Sequence, residues 1–410
     1  MESCHPQEID LSLGRVAQVG SALDLTRSTA RVVTVAGTNG KGSCVAALQA
    51  LLLSEGARVG SYTSPHIERF NERIQIDGRP LSDAQLCELF EAVDRARADI
   101  SLTYFEFGTL AALLAFKRAK LDYLVLEVGL GGRLDAVNIL DPDVAIITSI
   151  ALDHQQWLGN DRESIGREKA GILRAGVPFI YPSDGLPESV AHRAESLLCE
   201  TYALGEALHL QVQPSGAYRM RVRDTQGCEQ EYALPSLNLP APSVLAALQA
   251  YHLLSGALAK ADIERCLSEV SLDGRFQRHR WQNINLVIDV AHNPEAAELL
   301  ASRLRSSVRP VRAVVFAVMA DKDIAGIVDC FAPLNLHWYC CDLDAYPRAA
   351  KGRELCRLLT ERGQRAEYSA SPSAALQAVQ AAEGEGDVMV FGSFYLIAEI
   401  MPCLRGDVAR

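Results

Sequence analysis

Between Val32 and Leu52 the chain reads VVTVAGTNGKGSCVAALQALL: a β-prone run, a turn with three glycines and one lysine, then an apolar helical stretch. Residues Gly37, Thr38, Asn39, Gly40, Lys41, Gly42 and Ser43 have the chemistry of a phosphate cradle. The glycines let backbone N–H groups turn inward, and the helix beginning near Ser43 adds its positive end. Lys41 supplies a point charge, and Ser43 a hydroxyl for a phosphate or for Mg2+. The spacing is unusual. Two residues rather than four separate Gly37 from Gly40, and Gly42 stands between Lys41 and Ser43. A plain strand-to-helix turn with an exposed lysine competes with this reading, but strand, glycines, lysine and serine together favour phosphate.

Further groups fall where strands should end. LDYLVLEVGLGGRLDA runs four apolar residues into Glu127, an acid at the carboxyl edge where open α/β sheets bind ligands. Such an acid suits Mg2+ beside nucleotide phosphates; taken alone, it serves equally as a salt-bridge partner. The GLGG that follows is a weak dinucleotide signal and reads better as a substrate loop with Arg133 and Asp135 as polar handles. Ser64 follows the second strand and His154 a later one, although a lone histidine is more often structural and Mg2+ prefers oxygen. Lys169 sits in REKAGIL, by default a solvated lysine on a charged face. Near the end of the chain VIDVAHNP places Asp289 and His292 at a strand end, and Arg275 precedes them at an expected domain junction. There it could clamp a phosphate or simply bridge two domains.

The elements that must position these residues alternate. Apolar runs such as VVTVAG, LDYLVLEVG and DVAIITSI are separated by amphipathic helices, which implies βαβ units and a mainly parallel sheet. Residues 200–240 alternate and are turn-rich, closer to an antiparallel excursion, and a helical region follows at about 243–270. The strand–turn–helix plan then restarts at INLVIDVAHNP, so two α/β domains are expected, 1–282 and 283–410, the first phosphate-binding and the second smaller and Rossmann-like.

Composition narrows the classes. A net charge of −11 and the lack of a long basic run argue against a nucleic-acid surface. The eleven cysteines have irregular spacing and no CxxC pair, as expected of reduced thiols. No secretory signal and no apolar run of membrane-spanning length is visible, so a soluble cytoplasmic protein is expected.

As a set the motifs resemble one family, folylpolyglutamate synthase, in its bacterial bifunctional form with dihydrofolate synthase activity. TVAGTNGKGS, YTSPH, FNERI, LTYFEFGTL, LEVGLGGRLDA, TSIALDHQQWLG, REKAGI, GRFQ, DVAHNP, DKD and FGSF carry the match in order over nearly the whole chain. The family is akin to the Mur ligases and shares their shortened phosphate loop. The resemblance implies that ATP phosphorylates a carboxylate and that the amine of L-glutamate attacks the acyl phosphate. It implies Mg2+, two ions, with contacts at Ser64, Glu127 and His154, and a carbamate on Lys169. Lys41, His154 and Lys169 would then be catalytic. Arg275 and Asp289 would contact ATP, and His292 the substrate. The pteroate side would be Ile9, Asp10 and Leu11, then Thr103, Tyr104, Phe105 and Glu106, then Leu134, Asp135 and Ala136. The substrates would be dihydropteroate and reduced folates, with no nucleic-acid or membrane partner and a monomeric state.

One position departs from the family. Where an asparagine usually touches ATP, APSVLAALQA has Ser243. Two rivals are a folate-only synthase and a Mur-type amino-acid ligase. The latter needs a domain for a UDP moiety, for which the first 30 residues are too short. A nucleotide-binding module without ligation is the rival from another class.

Overall fold

The computed structural model describes residue 5 and residues 10–305, 307, 309–382 and 384–405. Two units emerge, Met1–Val270 and Ser271–Arg410. In the first, among the described residues, β1 (Arg31–Ala36), β2 (Val59–Tyr62), β3 (Ile74–Ile76), β4 (Arg79–Pro80), β5 (Tyr123–Glu127), β6 (Val144–Ile147), β7 (Phe179–Tyr181) and β8 (Thr201–Ala203) make one sheet. Its order is β4-β3-β2-β5-β1-β6-β7-β8. Neighbours from β2 to β8 run parallel, and β3 and β4 add an antiparallel edge. The central strands are continuous apolar runs because helices cover both faces of a parallel sheet.

The helices of this unit are α1 (Gly14–Ala22), α2 (Lys41–Ser54), α3 (Asp83–Arg97), α4 (Tyr104–Ala119), α5 (Gln155–Leu158), α6 (Arg162–Lys169), α7 (Glu188–Ser196), α8 (Ala241–Leu254) and α9 (Lys260–Glu269). Sequence fixes several starts locally: Ser82 with Gln85, and Thr103 with Glu106, form capping boxes at the heads of α3 and α4. Helix α2 buries Cys44, Val45, Ala47, Leu48, Leu51 and Leu52, apolar on more than one side because β5 and α8 both pack against it. The expected excursion is an antiparallel three-stranded sheet of β9 (His209–Val212), β10 (Tyr218–Arg223) and β11 (Glu229–Leu234).

The second unit holds β12 (Gln277–Trp281), β13 (Ile284–Asp289), β14 (Val311–Phe316), β15 (His337–Cys341), β16 (Arg365–Ser369) and β17 (Asp387–Phe391), in the order β12-β13-β17-β14-β15-β16. Its helices are α10 (Pro294–Arg305), α11 (Ile324–Asp329), α12 (Gly352–Glu361), α13 (Pro372–Ala381) and α14 (Phe394–Arg405). Phe316, Phe331, Trp338 and Phe391 centre its core. The boundary falls earlier than the expected 282/283. QRHRW is polar and precedes the expected start of the second domain, but it is strand β12, half-exposed along its length and paired antiparallel with β13. Every described cysteine is a free thiol, and no described helix is long and apolar enough to cross a membrane.

Candidate active site

Strand β1 lies between β5 and β6, although the chain first visits β2 on the far side of β5. That reversal opens a crevice at the carboxyl ends of the strands. The phosphate loop leaves β1 there. Thr38 N–H donates to Ser149 O at 2.8 Å and Asn39 N–H to Ser149 Oγ at 3.1 Å, so the segment after β6 moors the loop. Thr148 Oγ1 donates to Asn39 O at 2.6 Å. Gly37 has φ +151°, and a Cβ there would lie 1.9 Å from Thr148 Oγ1. Helix α2 starts at Lys41, slightly before the position expected from the sequence, so Lys41, Gly42 and Ser43 form the first helical turn, whose N–H groups lack intrahelical acceptors. Lys41 Nζ rests on the carbonyls of Gly37 and Thr38 at 3.1 and 3.2 Å.

Ser43 Oγ is buried with no hydrogen-bond partner among the described residues. A hydroxyl stranded beside a glycine-rich turn is what a phosphate or its Mg2+ would satisfy. Ser243, buried near the head of α8, brings its Oγ to 2.3 Å from where a Cβ on Gly40 would be. The serine therefore does stand at the phosphate loop.

The other expected metal-side residues are placed as follows. Glu127 ends β5, buried, and its Oε2 accepts the Ser64 N–H at 3.1 Å. His154 is exposed on the loop after β6, at φ 51°, just ahead of α5. Lys169 ends α6 and is only 3% exposed, which overturns its reading as a solvated surface lysine. A Cβ on Gly132 would come within 2.8 Å of Lys169 O, so the GLGG turn is a seat for the end of α6. No group of three or more His, Cys, Asp or Glu side chains poised for a metal occurs among the described residues. Hydroxyl, carboxylate and phosphate oxygens are the donors that fit Mg2+, which retains several waters and rarely occupies an all-protein cage.

Around the GLGG turn lie the residues expected on the pteroate side. The Phe105 ring packs on Gly129 and 5.8 Å from the Tyr62 ring. Glu106 caps Thr103 N–H at 2.8 Å and also accepts from Arg15 Nη2 at 3.0 Å, while Arg15 Nη1 donates to Asp10 Oδ2 at 2.7 Å. Two separate motifs are thus joined by an arginine that sequence reasoning did not single out. Leu11 and Leu134 are half-buried and Ala136 is buried; Ile9 lies outside the described residues. Arg73 of FNERI was also missed. It is buried, donates to His66 Nδ1 at 2.8 Å, and holds its guanidinium 5.4 Å from the ring centres of both Phe70 and Tyr104.

Asp135 accepts the N–H groups of Leu130 and Val137 at 2.9 and 3.0 Å. Burial nevertheless raises its pKa to about 6, outweighing those bonds and the attraction of Lys41. The folded state therefore binds this proton more tightly than the unfolded chain. Its favourable contribution is complete below the unfolded pKa and is lost as pH rises through about 6. Relative to Asp135→Asn, the wild-type protein should lose about 2 kcal/mol between pH 4 and 6, the larger part of the roughly 3 kcal/mol that separates the fully protonated from the fully ionised carboxyl, since each tenfold preference for the protonated form is worth about 1.4 kcal/mol. Urea denaturation of both proteins across that range checks this, and parallel pH profiles would refute it.

In the second unit Asp289 ends β13 and accepts the N–H groups of Phe276 and Ala291, both at 2.8 Å. Burial raises its pKa, with Arg275 opposing. The Arg275 guanidinium lies 4.9 Å from the centre of the Phe394 ring, and His292 Nδ1 is 2.9 Å from Val290 O.

Comparison with known proteins shows the family. Residues 35–186 match the Mur ligase middle domain and residues 274–394 the Mur ligase glutamate ligase domain. A dihydrofolate synthase/folylpolyglutamate synthase of Escherichia coli is 39% identical over 98% of this chain and 93% of its own length. The structure of E. coli FolC in complex with DHPP and ADP superposes with a TM-score of 0.92 at 38% identity, covering 100% of this chain and 96% of that one. A bifunctional folylpolyglutamate synthase/dihydrofolate synthase from Yersinia pestis, complexed with AMPPNP and Mn ion, gives 0.89 at 44% identity, covering 98% and 95%. The chain belongs to the dihydrofolate synthase/folylpolyglutamate synthase family of Mur-type ligases.

Proposed function

We propose that the chain joins L-glutamate to 7,8-dihydropteroate, giving dihydrofolate, and adds further glutamates to reduced folates. The observation carrying this reading is the meeting, at one sheet edge, of the phosphate loop with its stranded Ser43 hydroxyl, the acid Glu127, and the GLGG turn, on which Phe105 packs and to which Asp135 is bonded.

A carboxylate is a poor acyl donor at neutral pH. Transfer of the γ-phosphoryl group to one carboxylate oxygen of the acceptor creates an acyl phosphate and releases ADP. The neutral amine of glutamate then attacks the carbonyl carbon, phosphate leaves, and the amide retains the acyl group. The protein's task is alignment and charge neutralisation. Lys41 and the first-turn N–H groups of α2 hold the phosphates, Ser243 flanks them, and Arg275 and Asp289 bind nucleotide on the second unit. Mg2+, when bound, neutralises phosphate charge, with Ser43, Ser64, Glu127, His154 and a carbamylated Lys169 as its holders. Carbamylation converts the Lys169 ammonium into a long carboxylate with oxygen donors of the kind Mg2+ prefers. The aromatic rings of Tyr104 and Phe105 suit a flat pterin, flanked by Leu134, Asp135 and Ala136, with Asp10, Leu11 and Glu106 alongside.

Incubation with Mg-ATP, dihydropteroate and glutamate should release ADP only when both acceptor and glutamate are present, with a product heavier by one glutamate. Turnover should fall when carbon dioxide is stripped from the buffer, as the carbamate requires. Absence of turnover with every pteroate and folate acceptor would refute the assignment.

A further inference from the structure

We infer that Phe394 is a positioning residue for Arg275, acting as the aromatic seat that holds the guanidinium where it meets nucleotide; this rests on the reading of Arg275 given above. The turn carrying Arg275 is pinned through its backbone. Arg275 N–H donates to Leu272 O at 3.1 Å, Val290 N–H to Gly274 O at 2.9 Å, and Phe276 N–H to Asp289 Oδ2 at 2.8 Å. Those bonds fix the main chain and leave a long side chain with several rotamers. The guanidinium reaches Gly274 O, 3.2 Å from Nη1, and the Phe394 ring, whose centre is 4.9 Å from Cζ. Asp289 adds electrostatic attraction. A cation over an aromatic face is held by the ring quadrupole and by contact area, and the hold is stronger where water is partly excluded. Arg275 and Phe394 are both half-buried.

The Phe394 ring is not part of the core cluster built on Phe316, Phe331, Trp338 and Phe391. It opens α14, and its other aromatic neighbour is His292, with ring centres 6.1 Å apart. Removing the ring while keeping an apolar side chain should therefore leave the fold standing and release the guanidinium from its seat.

Steady-state kinetics of Phe394→Leu, Phe394→Tyr, Arg275→Ala and the double variant Arg275→Ala/Phe394→Leu test this. Phe394→Leu should raise KM for ATP about three- to tenfold, the size of a partly buried cation–π contact, with little change in kcat. Phe394→Tyr, which keeps the ring, should retain the wild-type KM. In the Arg275→Ala background Phe394→Leu should add nothing, since the partner is already gone. If Arg275→Ala raises KM for ATP and Phe394→Leu does not, or raises only KM for glutamate, the inference fails and the role of Arg275 stands. If Arg275→Ala itself leaves KM for ATP unchanged, both fall.

Discussion

Replacing Lys41 by alanine is expected to lower kcat about a thousandfold, the scale of losing a preorganised charge from a developing phosphoryl transition state. The prediction follows from what Lys41 does not do. Its ammonium touches two carbonyls of its own loop, Gly37 O and Thr38 O. The loop is moored independently, by Thr38 and Asn39 N–H to Ser149 and by Thr148 Oγ1 to Asn39 O. Deleting the amine should leave backbone and stability nearly unchanged while removing the cradle's cation. Inside a partly buried crevice that charge is worth several times its value in water. ADP release measured beside a thermal melt separates the two effects. A correctly folded variant within about tenfold of wild type would show that first-turn N–H groups neutralise the phosphates without it.

Gly37→Ala should be severely damaging to the first unit. Its Cβ would arrive 1.9 Å from Thr148 Oγ1, at a backbone φ of +151° that side chains avoid. Thr148 can yield only by rotating and giving up its 2.6 Å bond to Asn39 O. Strain and overpacking together should cost about 3 kcal/mol, and the displaced loop should lose nucleotide binding. Adding Thr148→Ala removes the oxygen but leaves a Cβ contact of 3.1 Å, so the double variant should recover part of the stability and little of the binding. Urea denaturation and ADP titration of the three variants test this. A single variant as stable as wild type would refute the geometry.

These two positions were legible in the sequence because strand, glycine turn and helix follow one another directly, and local chemistry suffices. Glu127 was legible for the same reason, at the end of an apolar run. Arg15 and Arg73 were not. Each acts through partners that the surrounding motif does not reveal, and an arginine in LGRV or FNERI looks like any surface arginine. The default reading of Lys169 as a solvated lysine failed for a related reason: REK looks solvated, whereas the side chain is buried and Gly132 closes on its backbone, while the family resemblance places it in the site. The domain boundary shifted because QRHRW alternates in exposure, so its polar face hid a strand.

Helix α2 is packed by the sheet on one side and by α8 on another, and the phosphate loop runs into its first turn. The amides proposed to receive phosphate are thus ordered as part of folding the core rather than at each binding event. A flexible loop would lose conformational freedom on every turnover and give up affinity to do so. Here the proposed receptor for the phosphates is built before any nucleotide arrives.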